Sequence, residues 1–264
     1  MSELALPTRA DVGDRVLIQR AAGGTPRYRL VALHHAGGGA GAFAPWIRHL
    51  PPDVELCAVR LPGRESRVRE TPYRDHTEAV AEIVDVLARL EPAPWCLYGH
   101  SMGGMLAYEV YRATTGLGLP EPRCLVVGAT AAPQRRDGLR PRLPDGHTRA
   151  DLVEVLRDYG GTPAEVFDND ELLGVVLPVL EADFTLFDAY RAPSEALKVR
   201  CPLIALAGAR DHLVAPDDVA AWEECSEGPF EYRLLDGAGH FFADSHSDRI
   251  LPLFQRWTRP EVRA

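Results

Sequence analysis

Long apolar runs are missing from this 264-residue chain. None approaches the roughly 18 residues that a membrane-spanning helix needs. The opening stretch, MSELALPTRADVGDR, lacks a basic start followed by an apolar core, so no signal peptide is expected and the chain reads as cytoplasmic. Cysteine is sparse and odd in number, with five residues at Cys57, Cys96, Cys124, Cys201 and Cys225. No pair has C-x-x-C spacing and no two histidines stand as H-x-x-x-H, so no metal site is expected. Four of the cysteines lie in or beside apolar runs and read as small buried hydrophobes in a reducing compartment. An excess of positive charge is also missing. With 29 Lys and Arg against 38 Asp and Glu, the net charge of −9 gives no support to nonspecific binding of nucleic acid or anionic membranes.

What is present is a regular alternation. Short apolar runs occur at 15–19, 28–35, 54–61, 94–100, 123–129, 201–208 and 230–237, separated by longer amphipathic stretches. Between two of them, Val80, Ile83, Val84 and Leu87 fall on one face of a predicted helix over 76–90. A second predicted helix spans 102–116. Near-continuous hydrophobic strands separated by helices imply an α/β protein, with a mostly parallel sheet covered on both faces. The Gly- and Pro-containing linker at 21–27 predicts a hairpin between the first two strands, with the first as an antiparallel edge. Length and pattern fit one domain over residues 1–264. Residues 131–200 break the pattern: they lack a clear strand and hold predicted helices near 148–159 and 170–190. They read as a helical insertion, either capping a site or adding packing to the sheet.

The chemistry-bearing residues follow strands. GHSMG (99–103) is a G-x-S-x-G motif between a predicted strand and a predicted helix, the context in which Ser101 stands on a strained turn with its hydroxyl aimed away from the sheet. A serine hydroxyl needs a base, and GAGHFF (237–242) supplies His240 in a Gly-flanked loop after the last strand. His100 lies inside the turn and His246 in a polar segment, so both are weaker candidates. The base in turn needs a carboxylate, and Asp211 follows the strand at 201–208 directly. Asp217 and Asp218 are alternatives that also read as helix-capping residues. The order Ser, Asp, His is that of the α/β-hydrolase fold. For an oxyanion, the backbone N–H of Met102 and that of Ala36, in the glycine-rich HHAGGGAG (34–41), are the expected donors. That loop has neither the lysine of a P-loop nor the spacing of a dinucleotide fingerprint.

The blocks HHAGGGAGAF (34–43), VRLPGRESR (59–67), LYGHSMGG (97–104), LPVLEADF (177–184), GARDHLV (208–214) and GAGHFF (237–242) together resemble the type II thioesterases that accompany polyketide synthases and nonribosomal peptide synthetases. The resemblance spans residues 31–245. It implies an α/β-hydrolase with a helical lid over 131–200, releasing acyl groups from the phosphopantetheine arm of an acyl or peptidyl carrier protein. Many of this family clear stalled or aberrant chains. By position it implies Ser101, Asp211 and His240 as the triad and Ala36 and Met102 as oxyanion donors. No resident cofactor is implied, since phosphopantetheine arrives with the substrate. The chain departs from the family at His34, where proline is usual, at Ala209, where an acid is usual, and at Glu181, where arginine is usual.

Leu177, Leu180, Phe184, Leu186 and Phe187 are candidates to line an acyl channel, although the same spacing suits helix core. Arg60, Arg64, Arg67 and Arg69, with Arg135, Arg136, Arg140 and Arg142, form two clusters that either guide an acidic carrier protein or make a solvated face. A small-molecule esterase, a noncatalytic binding protein on the same scaffold and a product-releasing thioesterase or acyltransferase are the competing readings.

Overall fold

The computed structural model describes residues 16–21, 26–135, 143, 146–192 and 197–258. Seven strands form one sheet: β1 (Leu17–Ala21), β2 (Tyr28–Leu33), β3 (Val54–Val59), β4 (Trp95–His100), β5 (Leu125–Gly128), β6 (Leu203–Gly208) and β7 (Phe230–Leu235). Their spatial order is β1-β3-β2-β4-β5-β6-β7. Six run parallel and β1 runs antiparallel to β3, with Leu17 opposite Val59. The expected hairpin is therefore corrected: β1 is an antiparallel edge, but its partner is β3. Both edges of β2 are already paired in parallel, to β3 and β4, which leaves β1 only the free edge of β3.

Burial on both faces explains the unbroken apolar strands. On one face, Val31, Leu33, Cys57, Val59, Leu97 and Val127 pack beneath helices α1 (His76–Arg89) and α2 (Met102–Gly116). On the other, Leu30, Ala32, Leu56, Ala58, Tyr98 and Val126 pack with Phe43, Trp46 and Phe254. Phe43 and Trp46 come from a 3₁₀ helix over Ala40–Arg48, and Phe254 from the C-terminal helix (Ser247–Thr258). All five cysteines are free and buried. Among the described residues, no helix is long and apolar enough to cross a membrane, and no cluster of His, Cys, Asp or Glu could hold a metal ion.

Among the described residues, three α-helices lie between β5 and β6: α3 (Arg149–Tyr159), α4 (Ala164–Phe167) and α5 (Asp170–Ala189). Thr148 starts α3 with a reciprocal capping box to Asp151, and Asn169 caps α5 by accepting from the N–H groups of Glu171 and Leu172. The predicted helices at 148–159 and 170–190 are thus present within a residue. Among the described residues of the segment, the one strand-like feature is a single bridge from Val199 to Ser226.

The sheet reverses direction of growth at β2 and β4, so the loops after these strands part and leave a crevice at their carboxyl ends, the usual ligand site of such sheets. The turn from β4 into α2 fits there because glycines let backbones touch. A Cβ on Gly99 would lie 2.0 Å from the Gly103 carbonyl oxygen, and one on Gly103 would lie 2.3 Å from that of Leu33. Neither neighbour is a side chain that can swing away. Gly103→Ala should therefore lower stability by about 1–3 kcal/mol through forced backbone separation, read as a lower urea midpoint at unchanged m-value.

Candidate active site

Ser101 links β4 to α2 with φ 54° and ψ −118°, a left-handed conformation rare for a side-chain-bearing residue. Its N–H donates to the Gly128 carbonyl and its carbonyl accepts from Gly104, which hold the turn between β5 and the helix. The hydroxyl is aimed at the loop after β7. Ser101 Oγ lies 2.9 Å from His240 Nε2, and His240 Nδ1 lies 2.8 Å from Asp211 Oδ2. The imidazole and the carboxylate are both only 1% exposed.

Each member of this series is fixed from behind. Asp211 Oδ1 accepts from the N–H groups of Leu213 and Val214, which leaves Oδ2 for the imidazole. With Nδ1–H donated to Asp211, Nε2 is the acceptor and takes the serine hydroxyl proton in its hydrogen bond. The backbone of His240 is held as well: its carbonyl accepts from His100 Nε2–H at 2.7 Å, and His100 Nδ1 accepts from the buried Tyr98 hydroxyl at 2.9 Å. Burial lowers the His100 pKa well below the usual imidazole value, so the ring is neutral. Asp217 and Asp218, the alternative carboxylates, stand in the first turn of a short helix, Pro216–Ala220.

Met102 opens α2, where N–H groups lack intrahelical partners. Ala36 lies in the loop after β2, which is clamped by two blocks distant in sequence. Arg64 makes a bidentate pair with Asp183 of α5, at 2.9 Å to Oδ2 and 2.8 Å to Oδ1, and donates to the Gly38 carbonyl. Asp183 Oδ2 also accepts from the Gly37 N–H at 2.8 Å. Glu65, next to Arg64, accepts from Gly41 N–H. The LPGRESR and LPVLEADF blocks therefore meet on the glycine-rich loop, one residue from Ala36. Sequence reasoning singled out both blocks but missed their meeting, since the residues stand 119 positions apart.

One side chain was missed altogether. Tyr159, the last residue of α3, is buried, and its hydroxyl lies 3.2 Å from Ser101 Oγ. Because the serine proton faces His240, the phenol donates to Oγ. Burial pushes the Tyr159 pKa up, so the phenol is neutral. Its ring packs edge-on against Phe184 and Phe241 and tilts over His240. What space remains beside Ser101 is a cavity of about 10 Å³, room for about one water.

Phe184 and Phe187 line that cavity, together with Ala36, Met102 and Ala131. Leu177, Leu180 and Leu186 do not. They are buried in the hydrophobic core, and Leu180 lies against Gly37. Two expected guiding arginines are also corrected. Arg64 is buried on Asp183, and Arg67 is buried between Glu70 and Glu82, so neither faces a partner. Arg69 is exposed, as is Arg135, which pairs with Glu224; Arg136, Arg140 and Arg142 lie outside the described residues. Glu181 pairs with Arg74 on the outer side of α5. His34 is buried, with Nδ1–H donated to the His35 carbonyl.

A mostly parallel sheet carrying a G-x-S-x-G turn at the carboxyl end of β4 defines an α/β-hydrolase. Residues 28–258 match the thioesterase domain family, and the chain belongs to that family, as a hydrolase acting on thioesters. It is 38% identical over 229 residues to thioesterase PikA5 of Streptomyces venezuelae, covering 84% of this chain and 78% of that protein. It superposes on the type II thioesterase BorB of the borrelidin biosynthetic cluster with a TM-score of 0.78 and 34% identity, over 91% of this chain and 97% of BorB. The RedJ thioesterase of the prodiginine pathway in Streptomyces coelicolor gives 0.79 and 33%, over 90% and 94%. The relatives thus belong to polyketide and nonribosomal peptide systems.

Two outcomes follow from the buried charges. Asp183→Ala leaves the Arg64 guanidinium buried without its carboxylate, and should cost about 3–5 kcal/mol in urea unfolding. The second concerns pH. Burial, with His240 and Arg64 nearby, lowers the His35 pKa from 6.5 to about 4. Between those values the unfolded chain binds a proton that the folded one rejects, so stability falls as pH drops from 6.5 to 4, by roughly 3 kcal/mol for this group. His35→Phe should flatten that part of the stability–pH curve.

Proposed function

We propose that this enzyme removes acyl groups from the phosphopantetheine arm of acyl or peptidyl carrier proteins, clearing stalled or aberrant chains in polyketide or nonribosomal peptide synthesis. The observation that carries the reading is the unbroken hydrogen-bond series Ser101–His240–Asp211 beside the amides of Ala36 and Met102. Kinship with type II thioesterases supports the substrate class. Five free, buried cysteines fit a reducing, cytoplasmic setting.

In this mechanism Ser101 Oγ attacks the thioester carbonyl carbon while its proton passes to His240 Nε2. Asp211 holds Nδ1–H and stabilises the imidazolium. The carbonyl oxygen gains its negative charge facing the Met102 and Ala36 N–H groups, each donor of this kind contributing about 2.7–4 kcal/mol. Collapse breaks the C–S bond, and His240 returns the proton to the departing pantetheine sulfur. A water then attacks the acyl-enzyme, giving its proton to His240, and the free acid leaves with Ser101 restored. Side chains, backbone amides and water carry these steps, and helices α3, α4 and α5 act as a lid on them.

The test is intact-protein mass spectrometry of carrier proteins loaded with short, long and branched acyl groups. Wild-type enzyme should return the free pantetheine form, and Ser101→Ala should not; turnover by that variant at the wild-type rate would sink the mechanism. Higher kcat/KM on nitrophenyl esters than on carrier-bound acyl groups would point to a small-molecule esterase instead. Ala36→Pro, which deletes one donor, should lower kcat by about 10²–10³ with a much smaller effect on Tm.

A further inference from the structure

Among the described residues, Ser101, Thr130, Tyr159 and His240 are the polar side chains on the wall of the cavity beside the nucleophile. Three of them are committed to hydrogen bonds in the site: His240 to Ser101 and Asp211, and the Tyr159 hydroxyl to Ser101 Oγ. Thr130 is the exception. It is 2% exposed, and its Oγ1 is buried without a hydrogen-bond partner. Buried hydroxyls are rarely left unpaired, because burial strips their water and returns nothing. Thr130 also stands on a part of the wall that the sheet holds in place. It follows β5, where Ala129 has a left-handed φ of 49° and donates its N–H to the Leu206 carbonyl of β6. The Thr130 carbonyl accepts from Trp222 Nε1 at 2.9 Å, and its methyl is seated where a Cβ on Gly104 would come within 2.3 Å. A cavity of about 10 Å³ has to widen before an acyl group enters, and a residue tied down in this way keeps its position meanwhile.

We propose that Thr130 is a specificity-determining residue, whose hydroxyl hydrogen-bonds a neutral oxygen near the carbonyl end of the acyl chain, as in a 3-hydroxyacyl or 3-oxoacyl group. Thr130 and Ser101 share a cavity no larger than about one water, so the group that meets Thr130 stands within a few carbons of the thioester. The rest of the wall decides the chemistry of that group. Ala129, Ala131, Phe184, Phe187, Leu213 and Val214 have no polar side-chain atoms, and among the described residues no acidic side chain lines the cavity. An ammonium group, as on an aminoacyl chain, would be buried there without a counter-charge. A hydroxyl or keto oxygen carries no charge, and the threonine hydroxyl donates equally well to either. A plain acyl chain leaves Thr130 unpaired and gains nothing from it. The residue therefore separates one class of acyl group from another instead of acting on all alike. This inference rests on the thioesterase reading and the assignment of Ser101 made above.

The experiment measures kcat/KM for 3-hydroxybutyryl and butyryl groups on one holo carrier protein, substrates that differ by a single hydroxyl. Thr130→Val keeps the shape of the side chain and deletes its hydroxyl. We expect the 3-hydroxybutyryl-to-butyryl ratio to fall about three- to tenfold in this variant, the scale of one neutral hydrogen bond. Thr130→Ser, which keeps the hydroxyl, should hold the ratio within twofold of wild type. In the free enzyme the hydroxyl has no partner to lose, so Thr130→Val should not lower the urea midpoint. A ratio within twofold of wild type in Thr130→Val overturns the proposal; if the midpoint falls as well, the hydroxyl has a structural partner instead. A wild-type preference for 3-aminobutyryl over 3-hydroxybutyryl that disappears in Thr130→Val overturns the assignment of a neutral oxygen. Thr130→Ala, which also deletes the hydroxyl, serves if the Val variant does not fold. Should wild type leave every carrier substrate intact, the proposed function fails, and the same acyl groups as N-acetylcysteamine thioesters still give the ratio that tests Thr130.

Discussion

Ser101 occupies a left-handed backbone conformation, and the arrangement of the crevice depends on the contacts that hold it there. Such a conformation persists only where the surroundings over-determine it. Here the surroundings are backbone: Gly103 against Leu33, Gly99 against Gly103, and the Ser101 N–H on Gly128. β2, β4 and β5 are thereby locked together at their carboxyl ends. The hydroxyl then has one direction to point, and the β6 and β7 loops bring Asp211 and His240 to meet it.

Around this turn the molecule uses charge sparingly and in pairs. The imidazole of His240 has its carboxylate, and the guanidinium of Arg64 has Asp183. The histidines nearest to them, His34, His35 and His100, are shifted down by burial. Neutral neighbours surround the buried His240–Asp211 pair, and the low local dielectric strengthens the hydrogen bonds that fix which nitrogen faces Ser101.

The insertion between β5 and β6 reaches the same crevice by two routes. Asp183 comes from α5 and grips the glycine-rich loop through the Gly37 N–H, while Tyr159 comes from α3 and meets Ser101 from the cavity side. The loop that carries Ala36 is therefore set by side chains from the insertion as well as by its own glycines.

Read as a string, the chain already determined whatever depends on local pattern. Apolar runs marked the strands, the 3.6-residue period marked α1 and α2, and G-x-S-x-G between strand and helix marked the turn at Ser101. Loops following strands marked Asp211 and His240, because a parallel sheet gathers all such loops at one edge. Contacts between distant segments carry no local signature, and only the tertiary structure decided those. The strand β1 went to β3 because β2 had no free edge, a fact of the whole sheet. Arg64 and Arg67 looked like surface charge until their carboxylates, from elsewhere in the chain, buried them. Leu177 and Leu180 share a helix with Phe184, but the rotation of α5 on the core chose which of them faced Ser101. Tyr159 had no motif at all, since its part in the site comes from where α3 ends in space.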